Sequence, residues 1–351
     1  MRPTLKDIAQ KVGVSPATAS LVLNGKKGVG DEVRAKVLSV AKELNYPIHI
    51  DKRQDESQVK IRYKIHFLFE KLKGSPFGDI FYGEVLQGLE EQAKFYNCSV
   101  SFTLVEQNEN YGKLISDLKS MDIDGVIAIG GGNITDKLLE NIRKEVSKPV
   151  LLLDNFVIGK KYNCVLADSI TGGYQAAKYL IENGHKDIGV IKGPKYYKSL
   201  TERFEGFLEA MDEFGLPVRK EWIVQTDHAE YIKGYSEMKQ ILSQPRRPTA
   251  IFAISDKTAF GAMEAIKQSG LNIPKDISII GFDDVHEARL TVPRLTTIRV
   301  PKMKMGRVAV ERIYNLVREK NVVPLKIVLY TQLVVRETVG QPLKKRSKGE
   351  S

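Results

Sequence analysis

Much of what marks a specialised chain is missing from these 351 residues. There are only 2 cysteines, Cys98 and Cys164, far apart and in no metal-ligand spacing. That excludes a disulfide framework or a cysteine-built zinc site, and both read as small buried hydrophobes in a reducing compartment. No apolar run approaches the roughly 20 residues that a membrane span needs. The opening "MRPTLKDIAQ" has no apolar leader and turns amphipathic at once. The expectation is a cytoplasmic protein with no membrane partner. The 5 histidines (His49, His66, His185, His228, His286) form no HExxH or related spacing. No GxSxG elbow and no Cys–His pairing stands out. "GGGN", Gly130–Asn133, lacks the Lys-Ser/Thr of a nucleotide loop and reads as a tight turn. Nothing supports an enzyme, a metal or a cofactor.

What is present is an ordinary globular composition with a basic excess. Lysine and arginine number 54 against 43 acidic residues, a net charge of +11 that leans towards a polyanionic partner. The length implies two or three domains.

Residues 1–47 read as three short helices. Thr4 can cap the first, with Asp7 three residues on, the spacing of a capping box. Leu5, Ile8, Ala9 and Val12 give its apolar stripe, and Gly13 suits a left-handed stop. Ser15 can cap a second helix whose first turn holds Pro16, where a missing N–H costs nothing. Ala19, Val22 and Leu23 face inward, and a third helix runs from Asp31. A tight Gly turn between the first two helices is the helix-turn-helix pattern. Residues 1–62 carry 12 basic and 7 acidic side chains, so this end is positively charged.

Residues 48–63 are polar and charged, a linker or a marginal helix. From Ile65 onward, eight short apolar runs alternate with amphipathic segments. That alternation predicts parallel sheets with helices on both faces, enough for two doubly wound lobes, with ligands beyond the carboxyl ends of the strands. Asp154, Asp256, Asp283 and Asp284 fall at such ends. Residues 341–351 form a basic tail.

The stretch "TLKDIAQKVGVSPATASLVLNG…VRAKVLSVAKELNY" resembles the headpiece of the LacI family of bacterial transcription regulators. "DIFYGEVLQGLEEQAKFYNCSV", "MDIDGVIAIGG", "VLADSITGGYQAAKYLIENGHKDIGVI", "AIFAISDKTAFGAMEAIKQSGLNIPKDISIIGFDD", "PRLTTIRVP" and "LVVRETV" follow in the family's order. The resemblance implies a three-helix headpiece joined to a two-lobed α/β core like type I periplasmic binding proteins. The core would span 64–340. Its first lobe would take about 64–165 plus 296–327, and its second about 166–295 plus 328–340. It further implies a homodimeric repressor of near-palindromic double-stranded operator DNA, controlled by a small effector, most simply a mono- or oligosaccharide.

Carried over residue by residue, the DNA contacts are Thr4, Ser15, Pro16, Ala17, Thr18, Ser20, Leu21 and Asn24. Relatives often carry Arg where Leu21 stands, and leucine cannot make the bidentate guanine contact. Apolar Ala17 and Leu21 suit thymine methyls, so A·T pairs are expected where they dock. Relatives also place a leucine wedge in the linker, whereas "KRQDESQ" has neither Ala nor Leu. Either a plain tether or a helix touching phosphates through Lys52, Arg53, Lys60 and Arg62 would fit. The effector residues implied are Asp79, Phe81, Tyr82, Asp168, Arg203, Asp256 and Asp283. Carboxylates and one guanidinium can bind hydroxyls, while aromatic faces cover a sugar ring. The bland alternatives are helix caps for Asp168 and Asp256, and core packing for Phe81 and Tyr82. Three rivals stay open: a sugar-transport binding protein, a regulator answering to a purine or a phosphorylated protein, and an enzyme on the same fold.

Overall fold

The computed structural model describes residues 4–23, 28–44, 46, 62–70, 79–106, 111–225, 231–319 and 322–343. Asn24, His228, linker residues 48–61 and tail residues 344–351 lie outside them. The chain divides into two compact units, Met1–Lys60 and Ile61–Ser351.

Among its described residues the first unit has three helices: α1 (Leu5–Val12), α2 (Pro16–Leu23) and α3 (Asp31–Glu43). Thr4 and Asp7 form the anticipated capping box, each side chain bonding the other's backbone N–H. Gly13 ends α1 at φ 76°, where a side chain would be strained. Ile8, Ala9, Ala19, Val22, Leu23, Val37 and Ala41 form a small buried core drawn from all three helices.

The second unit holds two six-stranded sheets. The first is built from β1 (Tyr63–Glu70), α4 (Tyr82–Phe95), β2 (Cys98–Val105), α5 (Tyr111–Ser120), β3 (Gly125–Ile129), α6 (Asp136–Glu145), β4 (Val150–Leu153) and β5 (Asn163–Ala167). The second is built from α7 (Ser169–Glu182), β6 (Ile188–Lys192), α8 (Lys198–Glu213), β7 (Ile223–Gln225), α9 (Tyr231–Leu242), β8 (Ala250–Ala253), α10 (Asp256–Gln268), β9 (Ser278–Asp283) and β10 (Thr296–Arg299). The chain then returns to the first lobe for α11 (Lys302–Arg318) and β11 (Lys326–Leu329), and ends in the second with β12 (Gln332–Val334). Strand orders are β11-β5-β4-β3-β1-β2 and β12-β10-β9-β8-β6-β7. Only β12, on β10, runs antiparallel among these pairings. Helices cover the sheets, so β3 and β8 are buried along their whole length, which is why they read as unbroken apolar runs.

Two expected boundaries move. The linker stops before 63: the Arg62 N–H donates to the Asn97 carbonyl and Tyr63 already pairs with Cys98, so both are held in the first lobe. Residues 296–299 belong to the second lobe, because β10 pairs with β9 from Thr296↔Ile280 to Arg299↔Asp283. The return crossing therefore lies after Arg299, and the last one after Leu329. The first and last crossings are bonded together, with Asp168 N–H donating to Leu329 O and the Thr331 hydroxyl donating to Asp168 O.

Candidate functional site

In the headpiece, α2 places its apolar residues inward and leaves another face outward. Ser15, Pro16 and Ala17 are exposed, and Thr18, Ser20 and Leu21 half-buried. The Ser15 Oγ accepts the Thr18 N–H at 3.0 Å and lies 2.8 Å from the Thr18 hydroxyl. The start of α2 is thus closed by its own side chain, and Thr4 is engaged in the capping box. Pro16, Ala17, Ser20 and Leu21 share one side of the helix by their spacing. Leu21 stands outside the residues that make up the buried core.

In the core, the site grows from strand ends. Glu70 ends β1, Gly130 follows β3, Asp154 follows β4 and Asp283 ends β9. Three of these residues adopt a left-handed backbone: Asp154 at φ 57°, Asp283 at 115° and Gly130 at 91°. Asp284 does likewise at 51°. Non-glycine residues held there store strain of about 1–3 kcal/mol each, a feature concentrated at binding sites.

The two lobes meet at these ends. From the second lobe, Lys257 Nζ reaches Asp79 Oδ2 at 2.6 Å. The Tyr197 hydroxyl donates to Glu70 Oε1 at 3.1 Å. Lys198 Nζ bonds Asp136 Oδ1 at 2.9 Å and the Phe156 carbonyl. Lys302, buried, donates to the carbonyls of Asp283 and Asp284 and pairs with Glu84 at 3.3 Å.

Arg203 is the buried cation of the site, 4% exposed. Its Nη2 lies 2.9 Å from Asp283 Oδ1, its Nη1 donates to Ile254 O, and its guanidinium stacks 3.9 Å over Phe282. Its Nε has no partner among the described residues. The Tyr82 hydroxyl donates to Asp154 Oδ2 at 3.1 Å, and its ring packs edge-on against Phe69 and Phe81. Burial pushes the Asp154 carboxyl up to about 6, against the opposing pull of Arg203 and the Tyr82 bond. Burial raises the Glu70 and Asp283 carboxyls as well, with Arg203 and Lys302 pulling Asp283 back.

Of the residues expected to hold an effector, Tyr82, Arg203 and Asp283 gather here around Asp154. Asp79 and Phe81 adjoin them, with Asp79 Oδ1 accepting the Phe81 and Tyr82 N–H groups at the head of α4. Two more of the expected residues are engaged by the fold itself. Asp168 Oδ1 accepts the Thr171 N–H at 3.1 Å and caps α7. Asp256 is fully buried; its oxygens accept from the Thr297 hydroxyl at 2.6 Å and the Val285 N–H at 2.9 Å. It brackets the Asp283–Asp284 turn, so it positions the site with no oxygen left over. Sequence reasoning passed over Glu70, Tyr197, Lys257 and Lys302. Only Glu70 left a trace, as an acid closing the apolar run "YKIHFLFE".

Comparison with known proteins decides the family. A profile described as bacterial regulatory proteins, lacI family, matches residues 4–47, and one for a periplasmic binding protein-like domain matches 177–339. The HTH-type transcriptional repressor PurR of Pasteurella multocida is 33% identical over 343 residues, 97% of this chain and 99% of its own length. The chain belongs to the LacI family. The ribose operon repressor of Haemophilus influenzae is also 33% identical, over 96% of this LacI-family chain and 98% of its own. Among solved structures, a transcriptional regulator CelR–cellobiose complex superposes with a TM-score of 0.72 at 26% identity, covering 96% of this chain and 100% of that one. This LacI-family protein is a transcriptional repressor with a helix-turn-helix headpiece, and its relatives are DNA-binding regulators, not enzymes. Among the described residues, no helix is long and apolar enough to cross a membrane.

Proposed function

We propose that this repressor binds a near-palindromic operator as a homodimer, with α2 in the major groove, and that a small sugar held between the two lobes sets its operator affinity. Thr4, Ser15, Pro16, Ala17, Thr18, Ser20 and Leu21 form the DNA face, with Asn24 just beyond the described part of α2. Asp79, Phe81, Tyr82, Arg203 and Asp283 hold the effector, joined by Glu70 and Asp154.

One observation carries the sugar reading. The strand ends present the carboxylates of Glu70, Asp154 and Asp283, with Asp79 at the head of α4, against three cations, Arg203, Lys257 and Lys302, each already ion-paired. Sugar hydroxyls donate to carboxylates and accept from a guanidinium, so a polyol satisfies both. A phosphate meets repulsion there. The competing ligand is a purine, which the name of the PurR relatives favours.

Thermal-shift measurements with a panel of monosaccharides, disaccharides and purine bases separate the two. A sugar is expected to raise the midpoint. Asp283→Asn keeps a residue that tolerates positive φ and should weaken that sugar by at least about tenfold, roughly 1.4 kcal/mol. A shift with purines alone replaces the sugar reading with the purine one.

A further inference from the structure

We infer that the effector carries a protonated amine beside its hydroxyls, making it an amino sugar, with the ammonium seated on Glu70 and Asp154. The inference rests on the effector site proposed above and narrows its ligand class.

It begins with an unmatched atom. Glu70 is 4% exposed, and its Oε1 accepts the Asn133 N–H at 3.0 Å and the Tyr197 hydroxyl at 3.1 Å. Its Oε2, also buried, has no hydrogen-bond partner of good geometry among the described residues, although the Gly131 and Gly132 N–H groups stand near enough to the carboxyl to pull its titration down. A buried carboxylate oxygen without a donor is costly, and a proton placed on it would leave a donor without an acceptor. The atom lies beside Gly130, on the side of the Tyr82 hydroxyl. A Cβ built on Gly130 would lie 3.1 Å from Glu70 Oε2 and 3.4 Å from the Tyr82 hydroxyl, and that hydroxyl is the one bonded to Asp154.

Charge then separates an amine from a hydroxyl. The bonds made to Glu70 and Asp154 side chains come from tyrosine hydroxyls and backbone N–H groups, all neutral. Among the described residues the nearby cations make their ion pairs elsewhere, Arg203 with Asp283, Lys257 with Asp79, and Lys302 with Glu84 and two carbonyls, and Arg203 acts on Asp154 only through its field. A sugar hydroxyl would satisfy Oε2 but leave two like charges adjacent. An ammonium supplies three donors and cancels one charge through charge-assisted bonds. The first lobe already accepts ammonium groups at its rim, since Lys257 sits on Asp79 and Lys198 on Asp136. Arg203 Nε, buried and without a partner among the described residues, is left to donate to a ring or hydroxyl oxygen of the same ligand.

The test is calorimetric titration of the full-length protein near neutral pH with matched sets. Each set holds a neutral hexose (glucose, galactose or mannose), its 2-amino counterpart and the N-acetylated form, with hypoxanthine run alongside. One amine-bearing member should bind at least about tenfold tighter than both its neutral and its acetylated partners. Glu70→Gln retains an oxygen for Asn133 and Tyr197, and should bring that preference down to about twofold or less, within measurement of parity. Equal or tighter binding of the neutral or acetylated sugar overturns the amine while the sugar reading stands. Binding of hypoxanthine alone overturns both. Silence from every amine-bearing member, or an amine preference that survives Glu70→Gln, also overturns the inference.

Discussion

Asp154 shows at one residue how the site trades stability for binding capacity. It lies at φ 57°, just beyond β4, and burial holds its carboxyl at about 6, above the ordinary carboxylate range near 4. Between those values the folded protein binds more protons than the unfolded chain. Linkage then gives a stability that falls as pH rises through this window, with the full penalty present above about pH 6. Asparagine tolerates the same backbone and still accepts from Tyr82. Asp154→Asn should therefore stabilise the protein by about 1 kcal/mol at neutral pH, a figure kept small because the side chain is partly exposed. The gain should shrink as pH falls through this window and vanish near pH 3, where Asp154 is protonated in both states. Thermal melts at the two pH values check this, and equal gains at both would mean that packing, not charge, is responsible. Asp154 and Asp283 were visible in the sequence as acids ending apolar runs. Asp256 looked the same there, yet it is a buried bracket. Chain position alone does not distinguish an acid at the proposed effector site from one bonded to Thr297 and Val285.

Among the elements, helix pairs sit closer than side chains would allow. A Cβ on Gly206 of α8 would fall 1.9 Å from the Ile170 carbonyl of α7, and one on Gly173 of α7 would fall 2.0 Å from Arg203 O. Gly88 and Gly306 do the same for α4 against α11, and Gly234 for α9 against α10. The α7–α8 contact matters for the site because α8 carries Arg203. Gly206→Ala must force the helices apart, at a cost of about 3 kcal/mol. It should also displace the guanidinium from Asp283, so both the denaturation midpoint and effector affinity fall. Loss of affinity without loss of stability would contradict a packing cause. Eight of the strands could be read from apolar runs in the sequence; six of them are largely buried, while β2 and β7 kept apolar runs despite exposed residues. The other four, β5, β10, β11 and β12, could not. They are short, begin with Asn163, Thr296, Lys326 and Gln332, and lie towards one side of each sheet, where polar residues meet solvent or neighbouring loops. Their pairing partners are distant in sequence, such as Lys326 with Cys164, which no local pattern records.

For the whole molecule, the chain's three passages between lobes and its basic first unit make one prediction about DNA. Effector control acts on the operator affinity of the headpiece, and that affinity has two parts. Phosphate contacts come from a segment with 12 basic and 7 acidic residues, so binding should weaken steeply with salt. On the proposed reading, base contacts come from the outward face of α2, where Pro16 and Ala17 are exposed and Leu21 half-buried. None of these can make the bidentate contact to guanine; the Ser20 hydroxyl, methyl contact and groove shape remain. Selection of binding sites from random duplexes should therefore return half-sites with A·T pairs where Ala17 and Leu21 dock. Leu21→Arg supplies the missing bidentate donor. It should shift the facing pair to G·C by about 1–3 kcal/mol of discrimination. The salt slope should steepen by no more than about one phosphate's worth, since the new charge is aimed at a base edge. A parent protein that selects invariant G·C at these positions, or a Leu21→Arg variant whose preference does not move, would mean that α2 does not read bases through this face.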